Sequence, residues 1–443
     1  MVNRVLPFLT VVDPEVSGEG ALDPLGLGPL GERLAEQILP GLTNRMQRPR
    51  FLTAMAVSAL VCQGLEDDFA ADGVTPAHIV FEWLVAEAFA RAADPERYRQ
   101  TPGIEKARAA IRTNTQLAAK SYLKTPTVFG FHGIYKRLAR NLRIAQEGIG
   151  IDEKGHELLR IWEREQELAG FVDGTDGPGA KMRATLRSAV ESSIGKGYSD
   201  RSWGWGGWEL LSEHLAPVDS GRQEAAFIYQ LLLTAESAPR GEVFSRIAAV
   251  NPEMLTDVAS EADLARDHLM AQCSTDLKLR LARVDAYEKV SRDIERAFDW
   301  ARYASTRTMP RPLSPAEYAG AEMPQVIAGR IAGRIRAAAD ALDGSDPGLM
   351  EEFLRITRLF EGVTRAEDLL QTCLQRHAEV QKAKPPEGKR EWFQATTDGR
   401  VIVRPAYKLT EGPEDDAGWG RPYRLWSVAS FCGDLVKGAS HAA

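Results

Sequence analysis

Nine Lys or Arg residues and a single acid occupy positions 104–143 of a chain whose formal net charge is −7. The basic residues are Lys106, Arg108, Arg112, Lys120, Lys124, Lys136, Arg137, Arg140 and Arg143, and the acid is Glu105. A local field of that sign attracts phosphate. Within this stretch Phe131, Ile134, Leu138 and Leu142 recur at helical spacing, and Lys136, Arg140 and Arg143 recur on another face. That pattern predicts one helix with an apolar side and a cationic side. Lys120, Lys124, Lys136, Arg137, Arg140 and Arg143 are therefore candidate contacts to the phosphate backbone of double-stranded DNA. Lys389 and Arg390 are candidates for a second phosphate-facing patch, together with Lys382, Lys384, Arg400 and Arg404. The alternative is a solvated helix face whose cations pair with acids elsewhere in this acidic chain.

The remaining motifs are weaker. Glu387-x-Lys389 matches the end of a nuclease-type acidic-x-Lys signature, but Pro385, Pro386 and Gly388 argue against the strand that signature requires. The seven histidines fall at 78, 132, 156, 214, 268, 377 and 441 with no metal-ligand spacing. The four cysteines at 62, 273, 373 and 432 are too far apart for a zinc knuckle and suggest reduced thiols. Gly195-Lys196 lacks the rest of a phosphate-binding loop. Residues 199–208 hold three tryptophans, for which packing at an aromatic-lined corner is favoured over base stacking. No catalytic, cofactor-binding or metal-ligating residue is assigned, and no cofactor is expected.

Positioning these residues requires helices. The spacing predicts them over 28–39, 51–65, 76–92, 104–123, 131–142 and 153–168, with Thr75 and Asp152 as N-caps. Residues 147–151 are short enough for a tight hairpin, so basic helix, hairpin and helix follow the order of a winged helix-turn-helix. Further helices are expected over 182–194, 208–215, 223–237, 240–250, 316–342 and 347–382, and one long helix or a pair over 261–303. Residues 392–407 predict two short strands around Asp398-Gly399. Residues 1–25 are expected to be extended. No run approaches the ~18 apolar residues of a membrane span. At 443 residues the chain suits several domains. The expectation is a mainly α, multi-domain helical protein with a winged helix-turn-helix and a small C-terminal α+β piece. Its divisions are 1–98, a basic winged-helix-like 99–172, a central helical 181–383 and a hairpin-containing 384–443.

Asp23, Leu25, Gly26, Pro40, Gly41, Leu42, Thr43, Arg45, Arg48 and Arg50 form a phrase that resembles the opening of uncharacterised helical proteins of bacterial anti-phage defence islands. Residues 131–159 resemble their winged-helix portion, with Gly155 opening the helix after the wing. The resemblance implies a component of a multi-protein defence system that acts with a separate motor or nuclease, and it carries no catalytic residues. The leading expectation is a non-enzymatic DNA-binding or DNA-sensing adaptor in a bacterial cytoplasm, partnered by DNA and by other protein subunits, with no membrane contact. A structural docking subunit is the alternative, and a metal-dependent nuclease the third.

Overall fold

The structure, a computed structural model, describes residues 23–146, 150–234, 238–251, 254–255, 258–414 and 418–440, the last four by their backbone alone. The expected extended N-terminal stretch up to residue 22, and positions 147–149 of the expected wing, lie outside the described residues. The described chain is mainly α, with a single two-stranded sheet near its C-terminal end. None of its helices is long and apolar enough to cross a membrane.

In chain order the first helices are α1 (Gly28–Ile38), α2 (Phe51–Val61), α3 (Ala77–Arg91), α4 (Ile104–Arg112), α5 (Pro126–Phe129), α6 (Phe131–Asn141) and α7 (Glu153–Glu165). Then come α8 (Pro178–Lys196), α9 (Gly207–His214), α10 (Arg222–Thr234), α11 (Ala238–Ala248) and α12 (Glu261–Leu264), which runs into a π-helical turn, Ala265–Met270. The rest are α13 (Thr275–Thr308), α14 (Pro315–Ala319), α15 (Glu322–Leu342), α16 (Pro347–Thr357), α17 (Ala366–Ala383) and α18 (Leu425–Ser440).

The helix expected over 104–123 stops at Arg112. The hydroxyls of Thr113 and Thr115 turn back onto the carbonyl oxygens of Ala109 and Ala110, and Asn114 takes a left-handed φ of 51°. Side chains that offer the backbone other partners end helices in this way. Thr75 is not the N-cap of α3 either. Pro76 holds that position, while the Thr75 hydroxyl donates to Asp72. The stretch 261–303 is a pair of elements broken near Ser274, whose backbone N–H and hydroxyl both donate to Glu242.

The chain forms two compact units, one from residues 1–35 and 275–423, the other from 36–274 and 424–443. These limits differ from the divisions expected at 98, 172 and 383. Helix α3 packs against α4 across the first of those points, and the Gly-rich stretch 173–180 falls inside the second unit.

In the first unit α13 packs along α15 and α17. Asp293, fully buried on α13, accepts from Arg330 at 2.6 Å and Arg334 at 2.9 Å. Strands β1 (Phe393–Ala395) and β2 (Val401–Val403) pair antiparallel with Phe393 opposite Val403, and Gly399 takes the positive φ of the turn between them. Ser305 Oγ on α13 accepts from the Val403 N–H at 2.8 Å.

His377 closes this core. The Trp392 N–H donates to His377 Nε2 at 2.9 Å, so that nitrogen is an acceptor, and Nδ1–H donates to the Pro24 carbonyl at 2.9 Å. The ring is therefore neutral, and burial holds its pKa down at about 4. An unfolded histidine titrates near 6.5. The ring thus contributes stability that is fully present above pH ~6.5 and lost as pH falls toward 4. Unfolding midpoints across that window should fall less steeply in His377→Gln than in the unaltered chain. Parallel curves would contradict this assignment.

Candidate nucleic-acid interface

The cationic helix forms as its spacing predicts. On α6, Phe131, Ile134, Tyr135, Leu138 and Ala139 are buried, while Lys136, Arg137 and Arg140 are exposed. The helix ends in a Schellman turn. The Arg143 N–H donates to the Arg140 carbonyl and the Ile144 N–H to the Ala139 carbonyl. Arg143 supplies the left-handed residue of that turn, at φ 56°, where glycine is the usual occupant. Cations at this end also complement the helix dipole, which gives Arg140 and Arg143 a structural use besides any ligand.

The start of α6 is held by a buried carboxylate. The N-cap residue, Gly130, has no side chain to cap with. Glu82 of α3 takes that role, accepting from the backbone N–H groups of Phe131 and His132. The approach is so close that a Cβ on Gly130 would stand 1.9 Å from Glu82 Oε1. The same carboxylate receives the Tyr122 hydroxyl at 2.8 Å and lies 2.9 Å from His132 Nδ1. His132 Nε2 lies 3.0 Å from Ser58 Oγ on α2.

Ser58, His132 and Glu82 thus stand in the order of a nucleophile, base and orienting acid. All three are buried, however, and a reacting carbonyl has no room beside a serine in the middle of a wholly buried helix. The cluster is a brace for α6. Burial raises Glu82 to about 8 and lowers His132 to about 3. His78, whose ring centre is 5.0 Å from that of His132, falls to about 2 through burial and then through its neighbours His132 and Lys136. Nothing in the histidine spacing signalled this pairing. The only trace was a serine at the centre of an apolar run.

The phrase 40–50 braces the other side of the same helix. Gly41, at φ 84°, lies so close to α6 that a Cβ would stand 2.6 Å from Asn141 Nδ2. The Tyr135 hydroxyl accepts from the backbone N–H groups of Gln47 and Arg48, and the Phe51 ring stacks on Phe131 at 5.3 Å. Its arginines all have partners, although Arg45 itself is exposed. Arg45 lies over the Phe129 ring, Arg48 pairs with Asp434 at 2.7 Å, and Arg50 is buried against Glu224. The earlier part of the phrase is structural as well, in the other unit. Asp23 accepts from the backbone N–H groups of Leu27 and Gly28, and Arg376 donates to the Leu25 carbonyl.

The exposed cations differ in their partners. Arg137 lies 3.3 Å from Glu36, but Glu36 is closer to the buried Arg424 at 2.6 Å. One carboxylate between two guanidinium groups leaves a positive charge at the surface. Arg143 pairs with Glu153 at 2.7 Å, with both side chains about 60% exposed. Such surface pairs contribute about 0–1 kcal/mol and exchange readily for another anion. Lys120 and Lys124 are exposed on the irregular stretch between α4 and α5. Lys389 and Arg390 belong to the other unit and line a groove of about 600 Å³ in which Lys382, Glu379, Glu387 and Glu391 mix the signs. Glu387 and Lys389 sit in a loop ahead of β1, so the strand of the nuclease signature is not formed there.

Beside the expected wing, Ala145 and Ile151 form one isolated antiparallel bridge, and the described residues around it hold no strand. Asp152 then caps α7 as its sequence predicts, its side chain accepting from the Glu153 N–H. Gly155 lies against the Ile144 carbonyl, where a Cβ would stand 2.2 Å away, so the turn packs directly on α7.

The described residues contain no group of three metal-ligating side chains, and the four cysteines are buried and form no disulfide. No family model, curated protein or solved structure matches the chain.

Proposed function

We propose that this protein is a non-enzymatic adaptor that binds double-stranded DNA through the backbone phosphates and works beside other protein subunits in a bacterial cytoplasm. The observation that carries the reading is α6, which buries one side among aromatic residues and presents Lys136, Arg137 and Arg140 on the other, with Arg143 just past its end. A helix braced at both ends holds those charges in fixed positions, which favours phosphate contact over a loosely solvated face. The resemblance of the 23–50 phrase and of 131–159 to anti-phage defence proteins supports a place in such a system, with the motor or nuclease supplied by a partner.

The test is binding to a fluorescent random-sequence duplex across a salt series. Three or four phosphate contacts give a slope of log K against log salt of roughly −3. Changing Arg137, Arg140 and Arg143 together to Glu should flatten that slope and lower affinity at least about tenfold. Unchanged binding in the triple variant overturns the reading.

A second reading, a docking subunit without DNA contact, is favoured by Val128 and Phe129, which are exposed on α5 directly before the cationic helix. Absent duplex binding, with co-purifying subunits lost on changing these two residues to Ser, is the result that reading expects.

A further inference from the structure

The tryptophan-rich stretch does not pack as one aromatic corner. Trp208 is buried, Trp205 is half-buried, and Trp203 is 70% exposed. Trp203 is nevertheless held in place. The Arg91 guanidinium lies over its ring at 4.4 Å and over Trp208 at 4.8 Å. Glu87 fixes that guanidinium through Arg91 Nε at 3.1 Å and Nη2 at 2.5 Å, and is itself bonded by the Ser199 hydroxyl. The loop is closed by Trp208 Nε1–H donating to the Ser202 carbonyl at 2.9 Å, and Trp205 meets Trp208 edge to face.

The glycines beside the ring add a second observation. A Cβ on Gly204 or Gly206 would meet nothing within 4 Å, and neither residue has a positive φ. Packing therefore does not require glycine at either place, although glycine costs conformational entropy wherever the chain is ordered. The loop is therefore open at both glycines, and Ser202, Trp203 and Gly204 are all exposed. The small and polar neighbours of Trp203 in the chain are unlike the contiguous apolar patch that a protein partner needs.

We infer that Trp203 is a stacking platform for an unpaired nucleobase, so that the protein engages single-stranded nucleic acid at this loop. A lone aromatic face stacks any base without regard to sequence. The inference deepens the adaptor reading and rests on it, since it assigns an unpaired segment to the nucleic acid that the adaptor binds.

The experiment compares three labelled probes, an oligothymidylate strand, an abasic strand of the same length, and a duplex. Each is titrated against the unaltered chain, Trp203→Ala, Trp203→Phe and the Arg137/Arg140/Arg143→Glu variant. Trp203→Ala should weaken oligothymidylate about tenfold, with Trp203→Phe in between. Binding of the abasic strand and of the duplex should be unchanged, as should the melting temperature, because the side chain is exposed. Equal oligothymidylate affinity in Trp203→Ala overturns the platform, as does an equal loss on all three probes. Those results leave the adaptor reading standing if the arginine variant still loses the duplex. No binding of any probe by the unaltered chain overturns both.

Discussion

Changing Glu224 to Ala should destabilise the protein by about 3–5 kcal/mol, the cost of leaving a buried charge without its partner. Arg50 and Glu224 are both essentially inaccessible to solvent, with Arg50 Nε 3.2 Å from Glu224 Oε1. The same carboxylate accepts the Thr53 hydroxyl at 2.6 Å and the Gly221 N–H at 3.2 Å. Arg50 has one further bond, to the Ala216 carbonyl at 2.9 Å, while its Nη2 has no partner. Removing Glu224 therefore strands a guanidinium that water cannot reach. Replacing both residues with apolar ones of similar size, Arg50→Met with Glu224→Leu, removes both charges at once and should give a protein more stable than Glu224→Ala. Chemical denaturation of the two variants and the unaltered chain measures this. A Glu224→Ala protein within about 1 kcal/mol of the unaltered chain would show that water reaches the pair.

The second large effect is expected at Glu82. Glu82→Ala removes the acceptor for two backbone N–H groups, the Tyr122 hydroxyl and the His132 ring, and opens a cavity among buried side chains. Orphaned buried donors cost about 1–3 kcal/mol each, so a loss of at least about 3 kcal/mol is expected. If the protein binds duplex DNA as proposed, that binding should weaken with it, because the first turn of α6 loses its cap. The milder Glu82→Gln separates charge from shape. Burial raises Glu82 to about 8 in the folded protein, against an ordinary value of 4.5. Its contribution is therefore full below pH 4.5 and lost as pH rises through about 8. His132 and His78 run the other way, contributing above pH 6.5 and losing that contribution as pH falls toward 3 and 2. Between pH 6.5 and 8 only the carboxyl slope remains from this cluster. The stability difference between the unaltered chain and Glu82→Gln should shrink as pH rises through that window. A difference that stays constant across that window would mean that Glu82 is fully ionised in the fold.

What the sequence revealed depended on whether the signal was local. The uncharged run from Phe51 reads as a buried helix, and every residue of α2 is buried. The two faces of α6 and the Asp152 cap were equally legible, since both are fixed by neighbours a few positions away. The run of Ala, Leu and Lys hid the Thr113-Asn114-Thr115 stop, although residues that compete for backbone hydrogen bonds were in plain view. Glu82, His132 and Ser58 lie 50 and 74 positions apart, and Arg50 and Glu224 lie 174 apart. No spacing rule connects such residues, so the brace under the cationic helix could not be read in advance. The arginines at 45, 48 and 50 find partners that no spacing rule connects to them: the Phe129 ring, Asp434 and Glu224.

The interleaving of the two units also sets a timetable for synthesis. Helix α18 completes the second unit, where the Ser427 hydroxyl donates to the Thr43 carbonyl, the Ser430 hydroxyl to the Gln47 carbonyl, and Asp434 meets Arg48. Arg48 and its partner are separated by 386 positions. At about 5–20 residues per second, a ribosome takes roughly 20–80 s to deliver the second after the first. Throughout that interval the surface that will receive α18 stays uncovered while the whole 275–423 segment emerges. The second unit must wait, incomplete, for α18, and any holding factor that acts on this protein has that window in which to act.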